Sequence, residues 1–150
     1  MKIASMGQES QEIEAYLSRW AACRGWIFQT ERAASGGRYD VVLAGPMAGK
    51  AAPTCQTGIL IAYDEDAGVL ARQVQARTIL TYGASKSTLS LSSAGESCVV
   101  ALQRETSDLL GGAWEIGEFR LPGGLPGHLA CAAVGALLAL REAGWRVPEE

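Results

Sequence analysis

The fold expected of this chain is decided by two segments, Thr78-Ile79-Leu80-Thr81-Tyr82-Gly83 and Leu121-Pro122-Gly123-Gly124-Leu125-Pro126-Gly127-His128. The first is rich in apolar and β-branched residues and stops at a glycine, which is typical of a strand buried in a sheet. The second is a glycine-proline turn that opens an Ala/Leu-rich helix, expected over residues 127–143. Because that helix is apolar on nearly every side, we expect it to be buried.

Two further helices are expected upstream. A stripe of apolar residues at helical spacing predicts a helix over residues 11–24, with Ser10 as its N-cap. A second helix is expected to run to residue 76, capped by Asp64 or Asp66. The side chains expected to face inward from these helices are Ile13, Tyr16, Leu17, Trp20, Ala21, Val69, Leu70 and Val74.

Apolar, strand-like runs alternate with these helices. Strands are expected at residues 2–5, 26–30, 39–44, 58–63, 77–82, 88–92, 98–102 and 114–121. The first five are separated by helices or long turns, which favours parallel pairing, and the last three by short turns, which favours antiparallel pairing. Gly117 is expected to mark a bulge. The prediction is a three-layer, Rossmann-like α/β fold with a mainly parallel sheet and an antiparallel extension.

The composition of the chain limits which classes of protein it can belong to. The chain has 150 residues, 48% hydrophobic and 19% charged, which predicts a single globular domain over residues 1–150. A net charge of −3 and dispersed lysines and arginines argue against nucleic acid or a membrane surface as partner. The amino terminus lacks the apolar core of a signal peptide, and no apolar run reaches the roughly 20 residues of a membrane span. We therefore expect a cytoplasmic protein.

The cysteines favour no metal site. Cys23, Cys55, Cys98 and Cys131 are widely spaced, and the chain has one histidine, so zinc-ligand spacing is absent from the sequence. We expect four buried or half-buried thiols and no cofactor.

Three segments occur in an order that suggests a family. Residues 59–66 are typical of a strand followed by an acidic turn, residues 67–83 of a helix and a strand ending in Thr-Tyr-Gly, and residues 127–136 of a helix that starts at Gly-His. In this order they resemble the closing part of the central domain of Mur ligases, which use ATP to add amino acids to peptidoglycan precursors. The resemblance covers residues 58–144 and implies a Rossmann-like fold.

The parts of that family that bind ATP have no counterpart in this sequence. With His128 matched to the family histidine, Leu129 and Ala132 stand where the family has asparagines that help to hold the nucleotide. Residues 44–51, Ala-Gly-Pro-Met-Ala-Gly-Lys-Ala, lack the first glycine and the hydroxyl of a Walker A motif, and Pro46 removes an amide donor. The departures predict a module without nucleotide chemistry.

Residues 1–45 also resemble a response-regulator receiver in their strand and helix pattern. Met6-Gly7-Gln8-Glu9 lacks the paired acids of a receiver, and Ala44-Gly45 stands where the phosphorylated aspartate would be. Phosphorelay is therefore not expected.

Six residues are candidates for a ligand site at the carboxyl ends of the strands, where open α/β sheets bind ligands. They are Gly7, Lys50, Asp64, Asp66, Gly83 and His128. Several have a structural alternative: the loop at Gly7 precedes a capped helix, the aspartates cap the next one, and His128 packs or caps at the start of the last. No spacing singles out a catalytic residue.

Two functions remain open at this point. The first is a non-catalytic, Mur-ligase-like binding or assembly module, whose partner is another protein or a second copy of the chain. The second is a small-molecule sensor or small enzyme that uses the crevice at the strand ends. Trp145 is a candidate contact for a dimer, since aromatic residues are favoured in interface cores, and packing against its own domain is the alternative.

Overall fold

The computed structural model describes residues 1–24, 28–93, 97–122 and 125–140, without the side chains of residues 22–24 and 122. Within these ranges the chain forms ten strands and three α-helices. The strands are β1 (Lys2–Met6), β2 (Gln29–Arg32), β3 (Arg38–Ala44), β4 (Cys55–Tyr63), β5 (Val74–Tyr82), β6 (Leu89–Ser93), β7 (Ser97–Leu102), β8 (Thr106–Ser107), β9 (Ala113–Trp114) and β10 (Gly117–Pro122). The helices are α1 (Ser10–Arg24), α2 (Ala67–Gln73) and α3 (Gly127–Ala139), with 3-10 turns at Ala48–Lys50 and Asp64–Asp66.

Eight of these strands form one sheet in the order β10-β7-β6-β5-β4-β3-β1-β2. Every pairing from β2 to β6 is parallel, whereas β7 and β10 run antiparallel to their neighbours. β8 and β9 pair separately as a small antiparallel ribbon. With helices on both faces, the three-layer, Rossmann-like α/β fold predicted from the sequence is confirmed, including its antiparallel extension.

The central strands are buried on both faces, as their continuous apolar sequences predict. β3 buries residues 41–44 and β4 buries residues 59–62. Helices α1 and α3 pack on one face of the sheet, while α2 and the Ala48–Lys50 turn pack on the other.

Helix α3 is buried along almost its whole length, from Leu129 to Ala139. It packs across β3 to β7 and against α1, and Trp114 donates its indole N–H to the Leu138 carbonyl at 3.0 Å. Gly135 allows the closest approach to the sheet, since a Cβ there would lie 2.7 Å from Leu89 Cδ1.

The parallel and antiparallel parts of the sheet meet at a narrow junction. In the described chain, β5 and β6 pair through one residue pair, Tyr82 with Leu89. Beside it, the Thr88 amide donates to Thr81 Oγ1 at 3.0 Å and the Thr81 amide donates to Thr88 Oγ1 at 3.3 Å. Threonine side chains therefore take over from the backbone ladder where the strands diverge.

The helix predicted to run to residue 76 ends earlier. α2 stops at Gln73, because Val74 already belongs to β5 and its side chain is buried in the sheet. Leu70 faces inward as predicted, but Val69 is 40% exposed, so its expected inward position is wrong. The helix is two turns long and buries one residue.

Two strands and one cap differ from their predictions. β2 is the polar, exposed Gln29–Arg32 rather than residues 26–30, and it pairs with β1 at the edge of the sheet, where water satisfies polar side chains. Residues 114–121 do not form one bulged strand; β9 ends at Trp114, and Gly117 begins β10. Ser10 is the first residue of α1, and its hydroxyl donates to the Gly7 carbonyl at 3.2 Å.

Some expectations fall on residues outside the described ranges. These are Trp26, Trp145, the helix stop at Gly25 and the extension of the last helix to residue 143. Among the helices that the structure describes, none has the length and apolar character needed to cross a bilayer.

Substituting Gly135 with leucine tests the close approach of α3 to the sheet. The new side chain would collide with Leu89, so Gly135→Leu is expected to destabilise the protein by about 1–3 kcal/mol. Gly68 is the matched control: it is helical and exposed, and a Cβ there would meet no atom within 4 Å. Gly68→Leu should be neutral or stabilising by up to about 1 kcal/mol. Urea unfolding measures both, and equal effects would contradict the packing described.

Candidate functional site

The loops after β1, β3, β4 and β5 meet at one edge of the sheet because parallel strands all end there. β2 lies on one side of β1 and β3 on the other, so the strand order changes direction at β1 and leaves a crevice between neighbouring loops. The loops are residues 7–9, 45–50, 64–66 and 83–88. Together with His128 at the start of α3, we name this edge the carboxyl-end crevice.

His128 and Glu9 contact each other within this crevice. The imidazole Nε2 lies 2.8 Å from Glu9 Oε2, although the residues are 119 positions apart. Their side chains are 38% and 35% exposed, so a ligand can reach both. The sequence predicts His128 but gives no signal for Glu9 beyond its place in the loop after β1.

A cavity of about 240 Å³ lies beside His128. Its walls are Gly83, Ala84, Ser85, Ser90, Leu91, His128 and Cys131. Cys131 is three residues after His128 on α3, and burial raises the pKa of its thiol to about 12. At neutral pH the side chain is therefore a protonated thiol, which is a poor nucleophile.

Gly7 holds two loops of the crevice close together. Its φ is +78°, and a Cβ there would lie 2.7 Å from the Gly45 carbonyl oxygen. Backbone hydrogen bonds cross the same gap, from the Gln8 amide to the Pro46 carbonyl at 2.8 Å and from the Gly45 amide to the Met6 carbonyl at 2.9 Å. The structure therefore gives Gly7 a role in loop packing.

Both candidate aspartates tie neighbouring loops to the β4 loop. Asp64 Oδ2 accepts a hydrogen bond from the Ser87 hydroxyl at 2.7 Å, and Asp66 Oδ2 accepts one from the Met47 amide at 3.0 Å. Asp66 stands at the N-cap position of α2, as predicted, but its side chain forms no capping hydrogen bond in the described chain. The carboxylates fix the loops instead.

Tyr82 is buried beneath the crevice and carries a polar hydroxyl. The sequence predicts this residue only as part of a strand. Its hydroxyl donates to the Ala44 carbonyl at 2.9 Å, which connects the ends of β5 and β3. Burial raises the pKa of the phenol, and the negative charge of Glu9 raises it further. Tyr82 is therefore a neutral hydrogen-bond donor at physiological pH.

The last two candidates differ in their surroundings. Gly83 lines the cavity with φ +102°, and a Cβ there would lie 2.5 Å from the Tyr63 ring, so glycine is required. Lys50 is exposed at the end of the Ala48–Lys50 turn and is not among the described residues that line the cavity.

The thiols that the structure describes are buried and separate from one another. Cys55, Cys98 and Cys131 are free and buried, as expected, and the side chain of Cys23 lies outside the described part of the chain. Within the described residues, no three or more His, Cys, Asp or Glu side chains come together in a way that could hold a metal ion.

Comparisons of this chain with protein-family models, with curated proteins and with solved structures find no match. The Mur-ligase resemblance stays a prediction from sequence order. In the structure, the segments that carry it are adjacent: β4 and β5 pair in parallel, and α3 begins at the edge where both strands end. The geometry of the crevice is therefore the basis for a functional proposal.

Alanine at Gly7 tests the loop contact at the crevice. Gly36 is a matched control with the same φ of +78° but no atom within 4 Å of an added Cβ. Gly36→Ala should cost about 1–2 kcal/mol for the left-handed backbone alone. Gly7→Ala adds a collision with a backbone oxygen and should cost at least about 1 kcal/mol more. Equal losses in urea unfolding would show that the loops are not in contact.

Alkylation of Cys131 checks the state of its thiol. Because its side chain is buried and its pKa is raised to about 12, Cys131 of the native protein should react with iodoacetamide at pH 8 at least about tenfold more slowly than Cys131 of the urea-unfolded chain. In the unfolded chain it is an ordinary thiol with a pKa near 8.5. Mass spectrometry of peptides locates the label, and rapid modification of Cys131 at pH 7 would contradict the structure.

Proposed function

We propose that this chain is a non-catalytic, Mur-ligase-like binding module that holds a small polar ligand in the carboxyl-end crevice. The observation that carries the proposal is the contact between His128 and Glu9. It brings the start of α3 to the loop after β1, beside a cavity of about 240 Å³. Ligands of open α/β sheets bind at this edge, where the strand order reverses.

The polar groups of the crevice suit a ligand that both donates and accepts hydrogen bonds. Glu9 is an acceptor, the imidazole ring of His128 has two nitrogen atoms that can each form a hydrogen bond, and the cavity wall includes Ser85 and Ser90. The acidic turn at Asp64–Asp66 and the carboxylate of Glu9 disfavour a polyphosphate. The expected ligand is a neutral compound that carries hydroxyl or amide groups.

Two observations support binding rather than catalysis. Leu129 and Ala132, which replace the nucleotide-holding asparagines of Mur ligases, are both fully buried in α3, so they contribute to the core. The thiol of Cys131 in the cavity wall is protonated because burial raises its pKa. The chain thus offers no asparagine at these two positions to hold a nucleotide, and no thiolate at Cys131 to act as a nucleophile.

A cytoplasmic location accompanies this proposal. Cys55, Cys98 and Cys131 are free thiols. Reducing compartments preserve thiols, whereas secreted proteins of this size commonly pair them.

The proposal predicts ligand-dependent stabilisation that depends on His128 and Glu9. Purified protein is screened by thermal shift against neutral N-acetyl sugars, phosphate-free muropeptides and nucleotides with magnesium. A neutral compound should raise Tm, since a ligand at one hundred times its Kd stabilises by about 2.7 kcal/mol. His128→Ala and Glu9→Gln should each abolish the shift. Glu118→Gln, on the exposed part of β10, is the charge-matched control and should retain it.

Two outcomes would contradict the proposal. The first is ATP hydrolysis or amino-acid ligation by the purified chain, since either is catalysis. The second is a thermal shift that both crevice variants retain, because binding would then take place elsewhere on the molecule.

A further inference from the structure

A second cavity, of about 260 Å³, lies at the opposite end of the sheet, where the parallel strands begin and α3 ends. Its walls include Asp40, Gly58, Arg77, Leu109, Leu110 and Leu140. We name it the amino-end pocket. Its volume lies just below the roughly 300–1,000 Å³ of sites for drug-sized ligands, so it suits one or two residues of a peptide.

The floor of the amino-end pocket is one row of residues across three strands. Asp40 lies beside Gly58, between the paired rows Tyr39↔Thr57 and Val41↔Ile59. Arg77 continues the row on β5, since Ala76 and Thr78 pair with the residues on either side of Gly58.

Gly58 lets the loop that carries Leu109 pack against the middle of that row. A Cβ there would lie 3.0 Å from Leu109 Cδ2, 3.1 Å from the Asp40 carbonyl oxygen and 4.0 Å from Arg77 Nη2. The two charged residues therefore flank a position where Leu109 packs directly against the strand backbone.

Arg77 is held in place with part of its donor capacity unused. Its Nη2 donates to the Leu109 carbonyl at 2.6 Å and approaches the Asp108 carbonyl at 3.5 Å. In the described chain, no other guanidinium nitrogen of Arg77 has a hydrogen-bond partner. A planar guanidinium fixed at one end presents its remaining N–H groups for bidentate contact with a carboxylate.

Asp40 also has unused capacity. Its Oδ2 accepts a hydrogen bond from the Lys2 amide at 2.8 Å, which leaves Oδ1 as an acceptor. Asp40 and Arg77 line the same pocket, yet they form no ion pair with each other within the described residues. The pocket thus presents an acceptor and a cationic donor that a ligand can engage together.

The third element of the pocket is apolar. Leu109 and Leu140 form part of its wall, and Leu110 at its rim is 76% exposed. The loop that carries Leu110 is rigid, because Asp108 Oδ1 accepts hydrogen bonds from the Leu110 and Gly112 amides at 2.9 and 2.8 Å. An exposed leucine on a fixed loop gains from being covered by apolar surface.

We propose that the amino-end pocket binds the carboxyl terminus of a partner polypeptide that ends in an apolar residue. The terminal carboxylate accepts hydrogen bonds from the free N–H groups of Arg77, and the last peptide N–H donates to Asp40 Oδ1. The terminal side chain packs against Leu109, Leu110 and Leu140. Capture of a free terminal carboxylate is a known mode of peptide recognition, and here Arg77 supplies the cation that the carboxylate needs. The proposal is independent of the carboxyl-end crevice.

A peptide array tests the proposal with the full chain. Immobilised decapeptides with free carboxyl termini carry each of the twenty residues at the last position and random residues elsewhere. Retention should be enriched for leucine, isoleucine, valine or phenylalanine at the end, and amidation should abolish it. The best peptide is then resynthesised with a fluorescent label, and its Kd is measured by anisotropy.

Variants of the chain then locate the site. Arg77→Gln and Asp40→Asn should each weaken binding of the labelled peptide by about tenfold or more, because each removes a charge-assisted hydrogen bond. Leu110→Ser is a second kind of variant that changes an exposed side chain and so leaves the fold intact; it should also weaken binding. Arg72→Gln, an exposed arginine on α2, is the matched control and should bind as the parent does.

Three results would overturn the proposal: no enrichment on the array, equal binding of the amidated peptide, or unchanged binding by both Arg77→Gln and Leu110→Ser. Competition by free leucine at the same concentration as the peptide would also overturn it, since the ligand would then be an amino acid and not a polypeptide end. None of these results bears on the carboxyl-end crevice, whose variants are separate.

Discussion

The burial of helix α3 is the constraint on which the rest of the structure depends. This helix is apolar on all sides and cannot be stable in water, so it must be covered by the sheet on one side and by α1 on another. This packing fixes the positions of both ends of the helix. His128 at its start reaches Glu9 in the carboxyl-end crevice, and Leu140 just beyond its end lines the amino-end pocket. One packing requirement therefore positions residues of both candidate sites.

The carboxyl edge of the sheet is held by polar contacts between its loops. Asp64, Asp66 and the backbone around Gly7 each form a hydrogen bond to a neighbouring loop, and Tyr82 forms one to the end of β3. Such contacts preorganise a site, since loops that are already fixed lose little conformational entropy when a ligand binds. Asp64 and Asp66, which the sequence suggests as ligand contacts, hold neighbouring loops in place and so shape the crevice.

The fold could be predicted further than the site because the two depend on different information. Apolar periodicity and turn residues indicate β3, β4, β5 and α3 directly, since burial alone decides them. The end of α2 and the place of β2 depend on competition with neighbouring strands, which local patterns do not carry. The contact of His128 with Glu9, and the row formed by Asp40, Gly58 and Arg77, join residues from distant segments. The packing of α3 brings the first pair together, and the register of the sheet forms the row.

The narrow junction between β5 and β6 has a consequence for cooperativity. A sheet joined through one residue pair and a pair of threonines is weakly coupled along its own ladder, so its parallel and antiparallel parts would separate easily if nothing else connected them. Helix α3 packs on β3, β4 and β5 of the parallel part and on β7 and β10 of the antiparallel part. It therefore connects the two parts across the junction. The coupling between the parallel and antiparallel parts of the sheet therefore depends on α3 more than on hydrogen bonds between β5 and β6.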